Sequence, residues 1–306
     1  MEYKIYDISG EENIKEEQLG SKEKFWYQNK DGRKFLFKFS RENTGEHWSE
    51  KISFEIAKLL NLPCAEYYLA TRDNRLGIIS PSFIGEDEHI IFGNRLLEKF
   101  AQQKRIKGVA SAPQQIEIFP QAQHRIDQIY DLLEGEKVLP TRKWKPIWGI
   151  NDGASLFTGY LMLDAIIGNT DRHIENWGVL QYKDNLYLAP TFDHASSLGR
   201  NELSPQVKKR LTTNDSNQTV NAYACRAKTP IFNKNNEQLT TIGVLEYGFN
   251  RTSESIYCWI KELNNLKGKT IERILGRFPD RILSANKKKF VYTILISNIE
   301  RIKRIY

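Results

Sequence analysis

Residues 152 to 169, DGASLFTGYLMLDAIIGN, constrain the fold more than any other stretch of the chain. The segment opens at Asp152, a residue type that caps helix N-termini, and is apolar nearly all round. A helix of that kind has no face to give to water, so it predicts a central element with other structure packed about it. At 306 residues the chain has the material for such a core, as one large domain or two lobes.

The flanking pattern changes along the chain. KFWYQ (24 to 28) and KFLFKFS (34 to 40) are aromatic-rich and strand-like, and NKDG between them is a hairpin signal. In 45 to 62, Trp48, Ile52, Ile56, Leu59 and Leu60 recur at helical spacing until Asn61 and Pro63 end the element. AEYYLATRD and RLGIISPSFI read as two further strands around Asp73-Asn74. After Gly85 the character turns helical. Ile126, Ile129, Leu132 and Leu133 share one face of a helix that stops at Gly135, and the last 60 or so residues are again helical. The Ser-, Thr-, Asn- and Lys-rich stretch from 200 to 242 reads as one long mobile segment. The fold class is therefore α+β, with a small β-rich lobe over 1–85 and a larger helical lobe over 86–306.

Composition removes several function classes. Apolar residues make up 40% and charged residues 27%, ordinary values for a soluble globular chain. No segment approaches the ~18 uninterrupted apolar residues of a membrane span, and the acidic N-terminus has no signal-peptide core. Cys64, Cys225 and Cys258 are well separated and odd in number, which suits a reducing cytoplasm rather than a disulfide framework. The net charge of +7 is scattered, with clusters at Lys208-Lys209-Arg210 and Lys287-Lys288-Lys289. Without a DNA-binding motif, that charge favours an anionic ligand such as a nucleotide over direct nucleic-acid contact.

Directly after the apolar helix, NTDRHIENWG packs Asp171, Arg172, His173, Glu175 and Asn176 into a short polar island before hydrophobicity resumes at Trp177. Phosphoryl transfer needs one carboxylate at the attacking hydroxyl and two hard oxygen ligands for Mg²⁺. Asp171 and Asn176 stand in the Asp-x-x-x-x-Asn spacing of protein kinases. Asp193 lies 17 residues beyond Asn176, after the strand-like LYLAP, where a hairpin would return it to the side of Asn176. An Asp and an Asn after a helix also serve as caps and turns, and the spacing alone is common. His173 and His194 have an equally plain reading as packed loop histidines. The coincidence of a helix-end loop, a strand and a second Asp turn, downstream of a β-rich lobe, sets this instance apart.

NTDRHIENWGVL followed by APTFDHASSLG resembles the HipA-like kinases, which carry an Asn-x-Asp-Arg-His-x-x-Asn-x-Gly loop and a later Phe-Asp motif. The resemblance covers 163 to 199 well and 18 to 64 more loosely. It implies a bilobal protein-kinase-like fold and dependence on ATP and Mg²⁺. Asp171 would be the catalytic aspartate, with Asn176 and Asp193 as metal ligands. Arg172 and His173 would support the loop structurally or on its phosphate side. Lys38 in FLFKF would grip the nucleotide phosphates, with Phe37 and Phe39 facing the other side of the sheet. Glu50 is the helix glutamate that aligns with the family, while Glu55 falls within the apolar stripe and would need a partner there. Both remain open. EEQLGSKEKFWY resembles the family's Gly-x-x-x-Lys phosphate loop, with Gly20 turning the backbone, Ser21 the nearby hydroxyl and Lys24 beginning the next strand. The serine that some members phosphorylate aligns near Glu17, so that control is not expected here.

The resemblance implies a serine/threonine protein kinase. Its targets would be an aminoacyl-tRNA synthetase, for a growth-inhibiting toxin with an antitoxin partner, or a host protein, for an effector delivered without a classical signal peptide. Because the phosphate loop lies within the first 20 or so residues, a short, core-only form is expected. A lipid or small-molecule kinase on the same fold and a non-catalytic partner-binding pseudokinase are the alternatives. Thr212, Thr213 and Ser216 lie where an activation segment would, as candidate autophosphorylation positions or as part of a plain surface loop.

Overall fold

The computed structural model describes residues 1–16, 23–106 and 124–306. Strands β1 (Tyr6–Asp7), β2 (Lys15–Glu16), β3 (Lys24–Gln28), β4 (Lys34–Phe39), β5 (Tyr68–Arg72) and β6 (Arg75–Pro81) form one sheet in the order β1-β5-β6-β4-β3-β2. β1 runs parallel to β5, and the other neighbours are antiparallel. The NKDG turn closes β3 onto β4 as its residues dictate. Gly32 sits at φ +78° and donates its N–H to the Asn29 carbonyl.

Alternation with period two divides this sheet. Phe25, Tyr27, Phe37 and Phe39 point to one face, where they make a small core with Ile8, Ala70 and Ile79. The Phe37 and Phe39 rings meet edge to face with centroids 4.6 Å apart. Lys24, Trp26, Leu36 and Lys38 point to the other face and line a cleft. Helix α1 (Glu46–Leu59) follows β4 and buries Trp48, Ile52 and Ile56 in the main core. It ends at Asn61, whose φ of +53° an α-helix cannot continue.

The rest of the chain is mainly helical: α2 (Gly93–Ile106), α3 (Ile126–Gly135), α4 (Gly153–Ile167), α5 (Ser204–Thr212), α6 (Val220–Cys225), α7 (Thr241–Arg251), α8 (Ile256–Asn265), α9 (Gly268–Gly276) and α10 (Ala285–Ile305). α4 is the centre, with every residue buried. Asp152 accepts from the Ser155 N–H at 2.8 Å, and Gly168, left-handed at φ +61°, stops the helix and turns the chain into the polar island. Among the described residues no helix is long and apolar enough to cross a membrane.

Two expectations need correction. His89–Phe92, in the part expected to be helical, is strand β7, which pairs antiparallel with β8 (Gly178–Tyr182); β8 in turn pairs with β9 (Asn185–Leu188). A three-residue apolar run, Ile90 to Phe92, has too little length to reveal its period, and its partner lies ~90 positions away. The stretch 200 to 242 is not one long loop. It holds α5, α6 and a hairpin of β10 (Lys228–Phe232) and β11 (Gln238–Thr240), and it buries Val207, Val220, Ala224 and Ile231 in the main core. Those anchors are sparse in a polar stretch, which is why composition hid them.

Candidate active site

Lys38 is where the two parts of the molecule meet. Its Nζ lies 3.4 Å from Glu50 Oε1 on α1 and 3.3 Å from Asp193 Oδ2 in the loop after β9. Burial disfavours the ammonium, but the carboxylates of Asp193 and Glu50 outweigh it and hold Lys38 above its ordinary pKa. It is therefore a fixed positive charge at neutral pH. Glu50 also accepts the backbone N–H of His194 through Oε2 at 2.9 Å, so α1 is pinned to the Asp193 loop. Ser49 reinforces this, donating its hydroxyl to the carbonyls of His194 and Ser197. Glu55, the other candidate partner, is bound to Lys51 on its own helix at 2.6 Å.

The polar island is organised from beneath by a residue the sequence reading passed over. Asp164, the one charged residue of α4, receives Arg172 Nε and Nη2 on its two carboxylate oxygens, each at 2.7 Å. Arg172 is fully buried, and its remaining donors reach the carbonyl of Asn176 (2.6 Å), that of Phe192 (3.4 Å) and the Thr191 hydroxyl (2.9 Å). One guanidinium thus ties α4, the Asp171–Asn176 loop and the Asp193 loop together. Asn169 extends the network, donating Nδ2–H to Asp164 Oδ1 and accepting the Asp171 N–H. A lone carboxylate inside an otherwise apolar helix was a legible signal, because it demands a buried partner.

The loop geometry also orients the two oxygen donors. Asn176 gives its Nδ2–H to the Asp171 carbonyl at 2.6 Å, which leaves Oδ1 for the cleft that Asn176 lines. Asp193 is left-handed at φ +57°, a conformation Asp tolerates, and its N–H is held at 2.9 Å by the hydroxyl of buried Tyr67. His194 is buried beside Arg172, which keeps its imidazole neutral, well below the usual pKa. Thr191 Oγ1 accepts from Arg172 and shares a second hydrogen bond with His194 Nε2 at 2.8 Å. His194 Nδ1 lies 4.0 Å from Glu50 Oε2. His173 accepts the Glu175 N–H on Nδ1 and lines the cleft rather than the position of Asp171.

The cleft, about 290 Å³, has an apolar wall that includes Leu36, Ala65, Phe83, Ile84, Ile90 and Phe192. Lys24, Lys38, Asn176 and Asp193 line it at the polar end. Asp171 lies beside it, with Oδ2 accepting from Ser196 Oγ at 3.2 Å. Gly20 and Ser21 lie outside the described residues. Among the described residues no group of three or more His, Cys, Asp or Glu could hold a metal by itself. Two protein oxygens, from Asn176 and Asp193, suit Mg²⁺ in particular, which retains waters and shares its shell with phosphates.

No curated protein matches the chain in sequence. Among solved structures, the Helicobacter pylori proinflammatory kinase CtkA superposes with a TM-score of 0.71 at 17% identity, over 97% of this chain and 95% of that one. A chain of the Shewanella oneidensis toxin–antitoxin complex of HipA, HipB and operator DNA does so with a TM-score of 0.57 at 11% identity, over 98% of this chain and 67% of that one. At such identities the likeness is one of fold, and the fold is kinase-like. The family model of the HipA-like C-terminal domain matches residues 18–243, which include α1, the polar island and the Asp193 loop. The chain belongs to the HipA-like family.

Proposed function

We propose that the chain is an ATP- and Mg²⁺-dependent protein kinase that phosphorylates serine or threonine. The observation that supports this is the convergence of Lys38, Glu50 and Asp193 at the polar end of a cleft that Asn176 also lines. In this reading the apolar wall takes the adenine, and Lys38 offsets phosphate charge in a place where water cannot screen it. Asn176 Oδ1 and the Asp193 carboxylate would hold Mg²⁺, which when bound supplies charge neutralisation and a template for the β- and γ-phosphates. Asp171, steadied by Ser196 and Asn169, takes the proton of the acceptor hydroxyl as its oxygen bonds to the γ-phosphorus and the bond to ADP breaks.

Incubation with labelled ATP and either protein extract or lipid vesicles tests the reading. Label is expected in protein, and Asp171→Asn is expected to lose transfer while ATP·Mg²⁺ still raises the melting temperature. Label in lipid alone would make the chain a lipid kinase. No transfer to any protein or to itself would make it a non-catalytic binding protein.

The setting divides along the two structural likenesses. CtkA, matched over nearly its whole length, is described as proinflammatory, whereas HipA acts with an antitoxin. Growth arrest of a bacterium by the wild type and not by Asp171→Asn, relieved by a co-expressed antitoxin, would support a cytoplasmic toxin. Phosphorylation of a host protein without arrest would support an effector.

A further inference from the structure

A second cleft, about 380 Å³, opens on the other side of Asp171 and shares no lining residue with the first. Its position relative to Asp171 is specific. Thr170 and Ser196 line it, and Ser196 Oγ is the group that hydrogen-bonds Asp171 Oδ2. His173, Asn176 and Asp193 line the first cleft. Asp171 therefore stands between the two, with the nucleotide side on one hand and this cleft on the other.

The lining of the second cleft has one sign. It contains the guanidinium groups of Arg200, Arg210 and Arg226 and no carboxylate. Two of the three are braced from behind. Arg200 Nη1 bonds Glu46 Oε1 on α1, and Arg210 Nε bonds Glu202 Oε2 at 2.6 Å with its guanidinium over the Tyr223 ring. Arg226 is exposed, makes no ion pair among the described residues and donates Nη2–H to the Asn217 carbonyl at 2.8 Å. Asp215 lies near enough for Arg226 to favour its ionised form, but its carboxylate bonds the Asn217 N–H and the Gln218 side chain rather than Arg226 and does not line the cleft. Glu46 is shared with Arg41, so it offsets Arg200 only in part, and Arg226 is the one of the three arginines with no carboxylate bonded to it among the described residues. Ser197 adds a neutral donor: it lines the cleft, is buried, and its hydroxyl has no hydrogen-bond partner among the described residues. A buried hydroxyl without a partner is costly unless something binds there.

We propose that this cleft is the acceptor-side subsite of the kinase reading, on which it rests, and that it receives an anionic side chain flanking the hydroxyl to be phosphorylated. Arginine forks match the paired oxygens of a carboxylate or a phosphate, and the shared chemistry covers an acidic residue and a phosphorylated one. The site is prebuilt. Arg200 is tied to the helix that carries Glu50, and Val207 and Ala224 anchor α5 and α6 in the main core.

The test uses matched peptides with one serine or threonine, flanked at each position in turn by Ala, Lys, Asp, Glu or phosphoserine. The full chain is expected to show at least a ten-fold higher kcat/KM for an anionic residue at one flanking position than for Ala there, mainly through KM. The Asp, Glu and phosphoserine arms separate the two sources of the anion. In Arg226→Glu the preference is expected to fall to parity or reverse toward Lys, with the melting temperature and ATP binding as the check on folding. Fluorescence anisotropy with peptides whose hydroxyl residue is replaced by Ala reads the cleft without turnover. Anionic peptides binding ten-fold tighter than neutral ones, and losing that advantage in Arg226→Glu, would uphold the subsite even if no phosphate is transferred, in which case the kinase reading alone falls. Equal binding of anionic and neutral peptides, or a preference that survives Arg226→Glu, would overturn the subsite even in an active kinase.

Discussion

Arg172 and Asp164 form a two-pronged ion pair, 2.7 Å at each contact, with neither side chain exposed to any useful extent. It joins α4 to both loops of the candidate site, alongside the bonds that Glu50 and Tyr67 make to the Asp193 loop. Asp164→Ala would strand a buried guanidinium and is expected to destabilise the chain by roughly 3–5 kcal/mol. Urea unfolding followed by fluorescence measures this. A double variant, Asp164→Leu with Arg172→Met, is expected to recover part of the loss, because no lone charge is then left inside.

Lys38 and Glu50 act as a pair, whereas Glu55 has its own lysine. Lys38→Met and Glu50→Gln are each expected to lower kcat by about 10²-fold or more, in the range seen when one preorganised charge-stabilising group is removed. Glu55→Gln is expected to stay near the wild-type rate. Steady-state phosphorylation of a model protein separates the three; a large loss in Glu55→Gln with none in Glu50→Gln would reverse the assignment.

Asn176 contributes one oxygen to the proposed metal position and spends its amide N–H on the Asp171 carbonyl. Asn176→Ala is expected to raise the Mg²⁺ concentration for half-maximal rate by roughly ten-fold or more, since in the proposed site ATP phosphates and Asp193 would still hold the ion. Titration of turnover with Mg²⁺ at fixed ATP reads this directly. A lower rate with an unchanged Mg²⁺ midpoint would place Asn176 outside the metal shell.

His124 should make stability fall with acid. Burial holds its pKa down at about 4, against 6.5 unfolded. Its Nδ1 faces the Pro230 carbonyl at 3.0 Å and its Nε2 receives the Trp177 indole N–H at 3.0 Å, an arrangement only the neutral ring can satisfy. Because the folded pKa is depressed, the unfolded chain takes up the proton first. The stabilisation is complete above about 6.5 and is lost as pH falls from there through about 4, a total of about 3 kcal/mol. Unfolding midpoints between pH 7.5 and pH 4 measure the slope, which His124→Gln is expected to flatten.

Much of the fold was legible because its causes are local. The NKDG turn, the period-two alternation of Phe37, Lys38 and Phe39, and the span from Asp152 to Gly168 each follow from backbone preference and burial within a few residues. β7 and the α5–α6 region were not legible. What makes them strand and helix is a partner far along the chain: β8 for the first, and the core positions of Val207, Val220 and Ala224 for the second.

The same division runs through the candidate site. The sequence by itself determined that Asp171, Asn176 and Asp193 could meet, because a loop, a hairpin and a second loop bring them to one side by local geometry. It also placed Lys38 on the cleft face of its strand. Only the tertiary structure decided that Glu50 rather than Glu55 answers Lys38, since a helical wheel gives a direction but not the charge waiting there, and Lys51 had already taken Glu55. Only it could pair Asp164 with Arg172, or bring Arg200, Arg210 and Arg226 round one cleft beside Asp171. Charges spread over the chain become a site when folding removes the water between them and fixes their distances.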